Sequence, residues 1–320
     1  MDLKQLRTFI RVAEAGSLSR ASDRMRLAQP ALSRQIKMLE AEIGTPLFDR
    51  HARGMELTEA GRELVTRVSG LVRQLEQCID DIRSMPSVVR GQVSLGLMPT
   101  VSRILAGRIA ERVSKELPEV FLRIVESYDG HLVEWLQRGE IDATLLYGPS
   151  SDLHLRTEEL LYEDLVLVGP KDSGLSPDNV IKLADAATLK LALPSKSHGL
   201  RSVLELAAAK SKVTLNVAFE GDAFSVLRDL VIRGLCHTIL PRSALKVEEE
   251  AGLLRVARIK PALTRQLILA LPSNRSDTHA TRAVVDLVVQ EMAQMVRSGE
   301  WQAYPGSALR DKSGPPPATG

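Results

Sequence analysis

Residues 17–54 read SLSRASDRMRLAQPALSRQIKMLEAEIGTPLFDRHARG. Ser17 is a good helix N-cap, and Leu18, Ala21 and Met25 then recur on one side of a short helix. Pro30 marks the entry to a second helix, because a proline in the first turn removes no intrahelical hydrogen bond. At about 100° per residue, Leu32, Ile36, Leu39 and Ile43 fall on one stripe, and Pro30, Ser33, Arg34 and Lys37 fall on the opposite one. Two short helices joined tightly, the second with an apolar underside and polar groups near its start, meet the needs of a helix-turn-helix. A helical hairpin with a solvated charged face would give the same spacing.

The continuation favours the first alternative. Residues 47–57, LFDRHARGMEL, carry apolar residues at both ends of a basic tip closed by Gly54, which is the pattern of a two-stranded wing. Arg34 can pair bidentately with guanine, Ser33 can bond a base edge or a phosphate, and Lys37 can neutralise phosphate. Arg50 and Arg53 at the wing can reach phosphates or a minor groove. With Gln29 and Pro30 at the start of the second helix, these are the candidate DNA-contacting residues. Seven cations between Arg20 and Arg53 face four acids, Asp23, Glu40, Glu42 and Asp49, so the local excess is positive.

At this point the region resembles the LysR-type transcriptional regulators. The matching residues are Leu6 and Phe9, then Gly16-Ser17-Leu18 and Ala21, then Ala28-Gln29-Pro30-Ala31-Leu32-Ser33 with Ile36, Leu39-Glu40 and Gly44. They continue through Pro46-Leu47-Phe48 and Arg50 to Leu57-Thr58-Glu59-Ala60-Gly61. Residues 28–33, 163–169 and 193–195 look somewhat like the branch of nitrogen-assimilation control regulators.

Outward from this region, residues 3–15 repeat apolar positions Leu3, Leu6, Phe9 or Ile10, and Ala13, enough for a helix that closes a small core. From Thr58 no proline interrupts the chain until Pro86. Leu64, Val68, Leu71, Leu75, Cys78 and Ile82 alternate four-residue and three-residue steps, the a/d seam of a coiled coil. Such a helix would be about 40 Å long and would pack either on its own domain or on the same helix of a second subunit. The resemblance implies the second arrangement, a dimerising linker, with further assembly to a tetramer and an interrupted inverted repeat as target in promoters. It also makes RNA polymerase a candidate partner.

From Gly91 strands and helices alternate. Strands at 93–97, 120–125 and 141–147 with helices between them form a βαβαβ unit and imply a parallel sheet. A second unit starts at 165–170 and continues through strands near 190–193, 214–219 and 236–240 and helices near 200–210 and 224–233. The strand 267–271 and the helix 277–296 then return to the first unit, giving two lobes around a hinged cleft. The expected fold is an N-terminal all-α winged helix-turn-helix (1–58), a linker helix (59–88) and a C-terminal α/β, two-lobed, periplasmic-binding-protein-like effector domain (91–304). Lobe 1 spans 91–161 and 267–297, and lobe 2 spans 162–266. The Gly- and Pro-rich residues 305–320 have little to bury and are expected to be disordered.

Ligands of α/β sheets bind beyond the carboxyl ends of strands, where helix N-termini present free N–H groups. The turns 97–102 (LMPTVS) and 193–201 (LPSKSHGLR) have this character, and offer Thr100, Ser102, Ser195, Ser197, His198 and Arg201; the serines and threonines also suit simple N-caps. The resemblance implies that these turns line the cleft for a small anionic effector and that the segment before the strand ending in Leu240-Pro241 also contributes, which makes Phe224 and Ser225 weaker candidates. Where the family commonly has Gly-X-Gly, this chain has Gly234-Leu235-Cys236-His237, so His237 either alters the cleft or packs in the core.

Composition excludes several classes. The chain of 320 residues has 44% hydrophobic and 26% charged residues, ordinary for a globular protein, and a net charge of +2 that by itself indicates no nucleic acid. No export signal and no apolar run near the roughly 18 residues of a membrane span is present, so a cytoplasmic protein without membrane contact is expected. Cys78 and Cys236 lack a CxxC partner and the histidines lack ligand spacing, which gives neither a disulfide nor a metal site. No nucleophile elbow, P-loop or dinucleotide fingerprint occurs, and neither enzyme activity nor a cofactor is expected. The rival classes are a solute-binding protein and an α/β enzyme with a helical accessory domain.

Overall fold

The computed structural model describes residues 1–51, 54–83, 88–148, 154–196 and 198–310. The chain divides into two compact units, Met1–Ser87 with Gln137–Ile141, and Val88–Leu136 with Asp142–Gly320.

In the first unit, α1 (Leu3–Ala15) is opened by a capping box between Asp2 and Gln5 and closed by Gly16 in the left-handed region, where a residue with a Cβ is disfavoured. α2 (Leu18–Met25) is capped by Ser17, whose side chain accepts from the Arg20 N–H. α3 (Gln29–Ile43) starts with proline in its first turn and ends at Gly44. β1 (Phe48–His51) and β2 (Gly54–Leu57) pair antiparallel, with Phe48 opposite Leu57. Phe9, Val12, Ala21, Leu32, Ile36 and Leu39 are all fully buried, and Phe48 meets Phe9 edge to face at 5.3 Å. The start of the wing is pinned by Glu40, whose Oε1 accepts from the Leu47 N–H at 2.8 Å. Ile43, expected on the buried stripe, is 38% exposed because α3 ends there, past the reach of the core.

α4 (Glu59–Arg83) runs 25 residues, about 37 Å at 1.5 Å per residue. It leaves the wing at close range: a Cβ on Gly61 would lie 2.1 Å from the Leu47 carbonyl oxygen. Leu64 packs on the helical core, whereas Leu71 and Leu75 are 57% and 55% exposed. The side chains of Cys78 and Ile82 lie outside the described residues.

The second unit begins with β3 (Arg90–Leu97), α5 (Pro99–Glu116), β4 (Glu119–Glu126), α6 (Asp129–Gln137) and β5 (Ala143–Gly148). β3 pairs parallel with both β4 and β5, the expected βαβαβ arrangement. β6 (Leu155–Pro170), β7 (Val180–Lys182), α7 (Leu183–Thr188), β8 (Leu191–Leu193), α8 (Gly199–Lys210), β9 (Val217–Glu220), α9 (Phe224–Ile232) and β10 (Thr238–Pro241) follow. A 3-10 turn (Arg242–Leu245), α10 (Lys246–Glu250), β11 (Leu254–Pro272), α11 (His279–Arg297), β12 (Tyr304–Pro305) and α12 (Ser307–Arg310) complete the chain.

The main sheet runs β10-β6-β11-β5-β3-β4. Its two crossing strands are much longer than hydropathy suggests, 16 residues for β6 and 19 for β11, and they pair antiparallel with a register shift between Arg258 and Leu263. Their polar halves escape a hydrophobic reading, yet each has a partner for its backbone groups. The sheet is therefore mixed, and β10 joins it antiparallel to β6, while His237 just before β10 bridges Leu191 of the β8-β9 pair. The α/β core of this lobe gathers Leu167, Leu191, Leu193, Leu204, Ile239 and Leu254, each almost fully buried. His237 packs: a Cβ on Gly169 would sit 2.7 Å from its ring.

The disordered tail expected from residue 305 is corrected over 305–310. Pro305 pairs with Leu161, and Leu309 is 1% exposed, so this segment has both backbone partners and an apolar anchor. Residues 311–320 lie outside the described ones.

Candidate functional site

Two surfaces carry the residues singled out in the sequence, one in each unit. On the first unit, the N-terminal half of α3 buries Leu32 and Ile36 and leaves Gln29, Pro30, Arg34 and Lys37 exposed on the other side, with Ser33 half-buried. Ala28 provides no side-chain cap, so the positive end of the helix lies open beside these groups. α3 is fixed at this angle by the buried Thr8 of α1, whose hydroxyl bonds Gln35. Arg50 belongs to β1 and pairs through its backbone with Met55, while its side chain and all of Arg53 lie outside the described residues.

On the second unit, the cleft lies where α5, α8 and α9 begin. Its walls are Pro99, Thr100, Tyr128 and Tyr147 from one lobe, and Pro194, His198, Asp222 and Phe224 from the other. The space between them measures about 310 Å³ with its mouth, of which only about 20 Å³ can hold the centre of a water-sized sphere. That is room for about one water, so any larger occupant requires the lobes to part.

Beneath this lining is a buried polar cluster that sequence reasoning missed. Arg265 of β11 and Glu163 of β6 are cross-strand neighbours, 3% and 1% exposed. Arg265 Nε donates to Glu163 Oε1 at 2.8 Å, and its NH2 group donates to Thr100 Oγ1 at 3.0 Å. Its guanidinium also bonds the Tyr147 hydroxyl and lies 4.3 Å from the centre of that ring. Thr100 and Tyr147 share a further hydrogen bond of 2.8 Å. The second carboxylate oxygen of Glu163 accepts from Ser243 Oγ at 2.6 Å and from Trp301 Nε1 at 3.1 Å. A buried ion pair is tolerable only when its remaining lone pairs and protons are met in this way.

Two further groups line or back the cleft. Burial pushes the carboxyl of Asp129 up to about 6, against the pull of the Tyr147 N–H and the Arg265 charge. Burial also lowers His198 below its ordinary range. His198 Nδ1 accepts from the Leu200 N–H at 3.1 Å, which leaves any ring proton of the neutral form on Nε2. The two lobes touch directly where the Tyr128 hydroxyl donates to the Asp222 carbonyl, and where Arg103 lies 5.5 Å from the Phe224 ring centre.

Of the residues expected at the cleft, Thr100, His198 and Phe224 line it. The Ser195 N–H donates to Asp222 Oδ1 at 2.8 Å, and Ser195, Ser102 and Ser225 are not part of the lining. Arg201 is engaged elsewhere: its guanidinium donates to Glu205 at 2.7 Å, to the Pro194 carbonyl at 2.9 Å and to Glu220 at 3.1 Å. Ser197 lies outside the described residues. Among the described residues no cluster of His, Cys, Asp and Glu could hold a metal, and no helix is long and apolar enough to cross a membrane.

Comparison with known proteins matches both units. Residues 3–62 fit the family model of the bacterial regulatory helix-turn-helix protein, lysR family, and residues 86–293 fit the LysR substrate binding domain. The chain is 30% identical to the HTH-type transcriptional regulator BbuR of Bordetella bronchiseptica, over 95% of this chain and 94% of that protein. It is 31% identical to the nitrogen assimilation regulatory protein nac of Klebsiella aerogenes, over 90% of this chain and 94% of that protein. The fold superimposes on full-length CbnR solved in complex with its target DNA, with a TM-score of 0.67 at 20% identity, covering 91% of this chain and all of that one.

Proposed function

We propose that this chain, which belongs to the LysR family of DNA-binding transcriptional regulators, reads an interrupted inverted repeat as a homo-oligomer and responds to a small effector held between its two α/β lobes. The observation that carries the DNA reading is α3, whose start leaves Gln29, Pro30, Arg34 and Lys37 exposed over a fully buried Leu32 and Ile36. Arg34 is the base-reading residue, with Ser33, Lys37, Arg50 and Arg53 as backbone contacts. α4 pairs two subunits through Leu71 and Leu75, dimers assemble further into tetramers, and RNA polymerase is a further partner. The cytoplasm, where promoters and small metabolites meet, is the proposed location.

The effector enters with an anionic group toward Thr100, where the first turn of α5 and the Arg265 guanidinium both favour negative charge. Asp222 on the opposite wall adds an acceptor, so a ligand that also carries a donor, as an amino acid does, satisfies more of the lining than a bare carboxylate. The test is selection of duplexes from a random pool by the full chain, followed by binding of Arg34→Ala to the selected and a scrambled duplex. The expected result is an enriched inverted repeat whose binding falls by roughly 1–3 kcal/mol in the variant, while scrambled binding changes little. A pool without symmetric sites, or equal losses on both duplexes, would overturn the reading.

A further inference from the structure

The segment beyond the matched regulatory domain is built into the molecule. The family match stops at residue 293 and α11 ends at Arg297, yet Trp301 is fully buried and β12 adds to β6 with Tyr304 opposite Tyr162. The Gly306 N–H donates to the Leu160 carbonyl at 2.7 Å, and a Cβ on Gly306 would lie 2.7 Å from the Glu159 carbonyl oxygen. This strap therefore lies directly on one of the two strands that pass between the lobes.

From the strap a continuous chain of hydrogen bonds leads to the cleft. Trp301 Nε1 and Ser243 Oγ both donate to Glu163 Oε2, at 3.1 and 2.6 Å, which fixes the plane of the carboxylate and turns Oε1 toward Arg265. A glutamate's terminal torsion is otherwise broad, so a carboxylate whose Oε2 keeps Ser243 as its one remaining donor is held less firmly in plane and carries the guanidinium with it. Arg265 in turn orients the hydroxyls of Thr100 and Tyr147, two residues of the cleft wall.

We propose that Trp301 is a positioning residue: through Glu163 it sets the geometry of Arg265, Thr100 and Tyr147, and so the hydrogen-bonding face that the cleft presents to a ligand. The ligand-facing part of this statement rests on the effector reading above, whereas the positioning itself does not. A structural role alone would demand only the bulk of the indole. The positioning role demands its N–H.

The chain has two tryptophans, Trp135 and Trp301, so a Trp135→Phe background isolates the second. In that background, full-length protein is prepared with tryptophan and with β-(3-benzothienyl)alanine, which keeps the ring shape and lacks the N–H; Trp301→Phe is the genetic counterpart. The readout is the side-chain Nε–H of Arg265 in arginine-labelled protein, identified by its loss in Arg265→Lys, with solvent exchange measured for each form. The expected result is exchange at least tenfold faster in both proteins lacking the indole N–H, with the remaining arginine signals unchanged. Exchange at Arg265 that stays within twofold of the parent would overturn the proposal, as would uniform acceleration of every protected arginine, which marks loosening by lost bulk. No effector enters this measurement, so its failure and a failed effector screen are separate results.

Discussion

Replacing Glu163 with leucine would leave the Arg265 guanidinium buried with only two hydroxyl partners, Thr100 and Tyr147. Removing one member of a buried pair costs about 3–5 kcal/mol, chiefly because the other charge is left uncompensated. A unit of this size shifts its midpoint by roughly 2–4 °C per kcal/mol, so Glu163→Leu should lower melting of the regulatory unit by roughly 6–20 °C. The double variant Glu163→Leu with Arg265→Met removes both charges at similar volume. The Trp301 N–H and the Ser243 hydroxyl lose their acceptor in both variants, so this defect cancels between them. The double variant should thus be more stable than the single one by the cost of the uncompensated guanidinium, up to about 3 kcal/mol. Urea unfolding followed by circular dichroism, run beside the thermal melts, measures both. If the double variant is as unstable as the single one, uncompensated charge is not the source of the loss, and the cluster acts through shape alone.

Two other outcomes follow from the described geometry. Asp129 has its carboxyl raised from 3.8 to about 6, so its contribution to stability is fully present below about 3.8 and is lost as pH rises through about 6. The gap corresponds to at most about 3 kcal/mol, and solvent at this half-buried group reduces it. Asp129→Asn should accordingly be more stable than the parent at pH 7.5, with the difference shrinking toward pH 5, and a pH-independent difference in urea midpoint would contradict the assignment. Leu71 and Leu75 are both more than half exposed on α4, and Leu71→Asp with Leu75→Asp would put four like charges on the seam proposed to pair two subunits. Sedimentation should show monomers, and an unchanged oligomer would remove α4 as the pairing helix.

Much of this architecture is visible in the chain because single periodicities carry it. α1, α2 and α3 are amphipathic, and Leu32, Ile36 and Leu39 fall where a 3.6-residue period puts them. The cleft was less legible. Arg201 looked like a cation waiting at a helix start, yet Glu205 stands four residues on, and that i,i+4 pairing together with Glu220 claims it. Arg265 and Glu163 fall just outside the strands that hydropathy marks at 267–271 and 165–170. A sharper signal was present in the alternation itself: Leu263, Arg265 and Leu267 share one face of β11, and Leu161, Glu163 and Leu165 share one face of β6, all buried. Opposite charges in inward slots of two strands point to a buried pair once the strands are known to be neighbours. That neighbourhood is a tertiary fact separated by a hundred residues, which no local pattern carries. The ordered strap escaped for a related reason, since its composition is that of a loop and its partner strand lies far upstream.

The pairing of β6 with β11 also fixes the order in which a newly made chain can become structured. Glu163 and Arg265 are 102 residues apart in sequence. At about 5–20 residues per second, β6 therefore leaves the ribosome roughly 5–20 s before its partner is complete. β5 waits for the same strand, so neither lobe closes its sheet until β11 has been made. During that interval the helices and wing of residues 1–57 rely on local contacts alone and can form at once. The first ten residues of β6, with Glu158, Glu159, Glu163 and Asp164 among them, carry charges that discourage edge-to-edge association while the strand waits. A chain stalled before β11 would present folded DNA-binding helices with no completed regulatory unit attached.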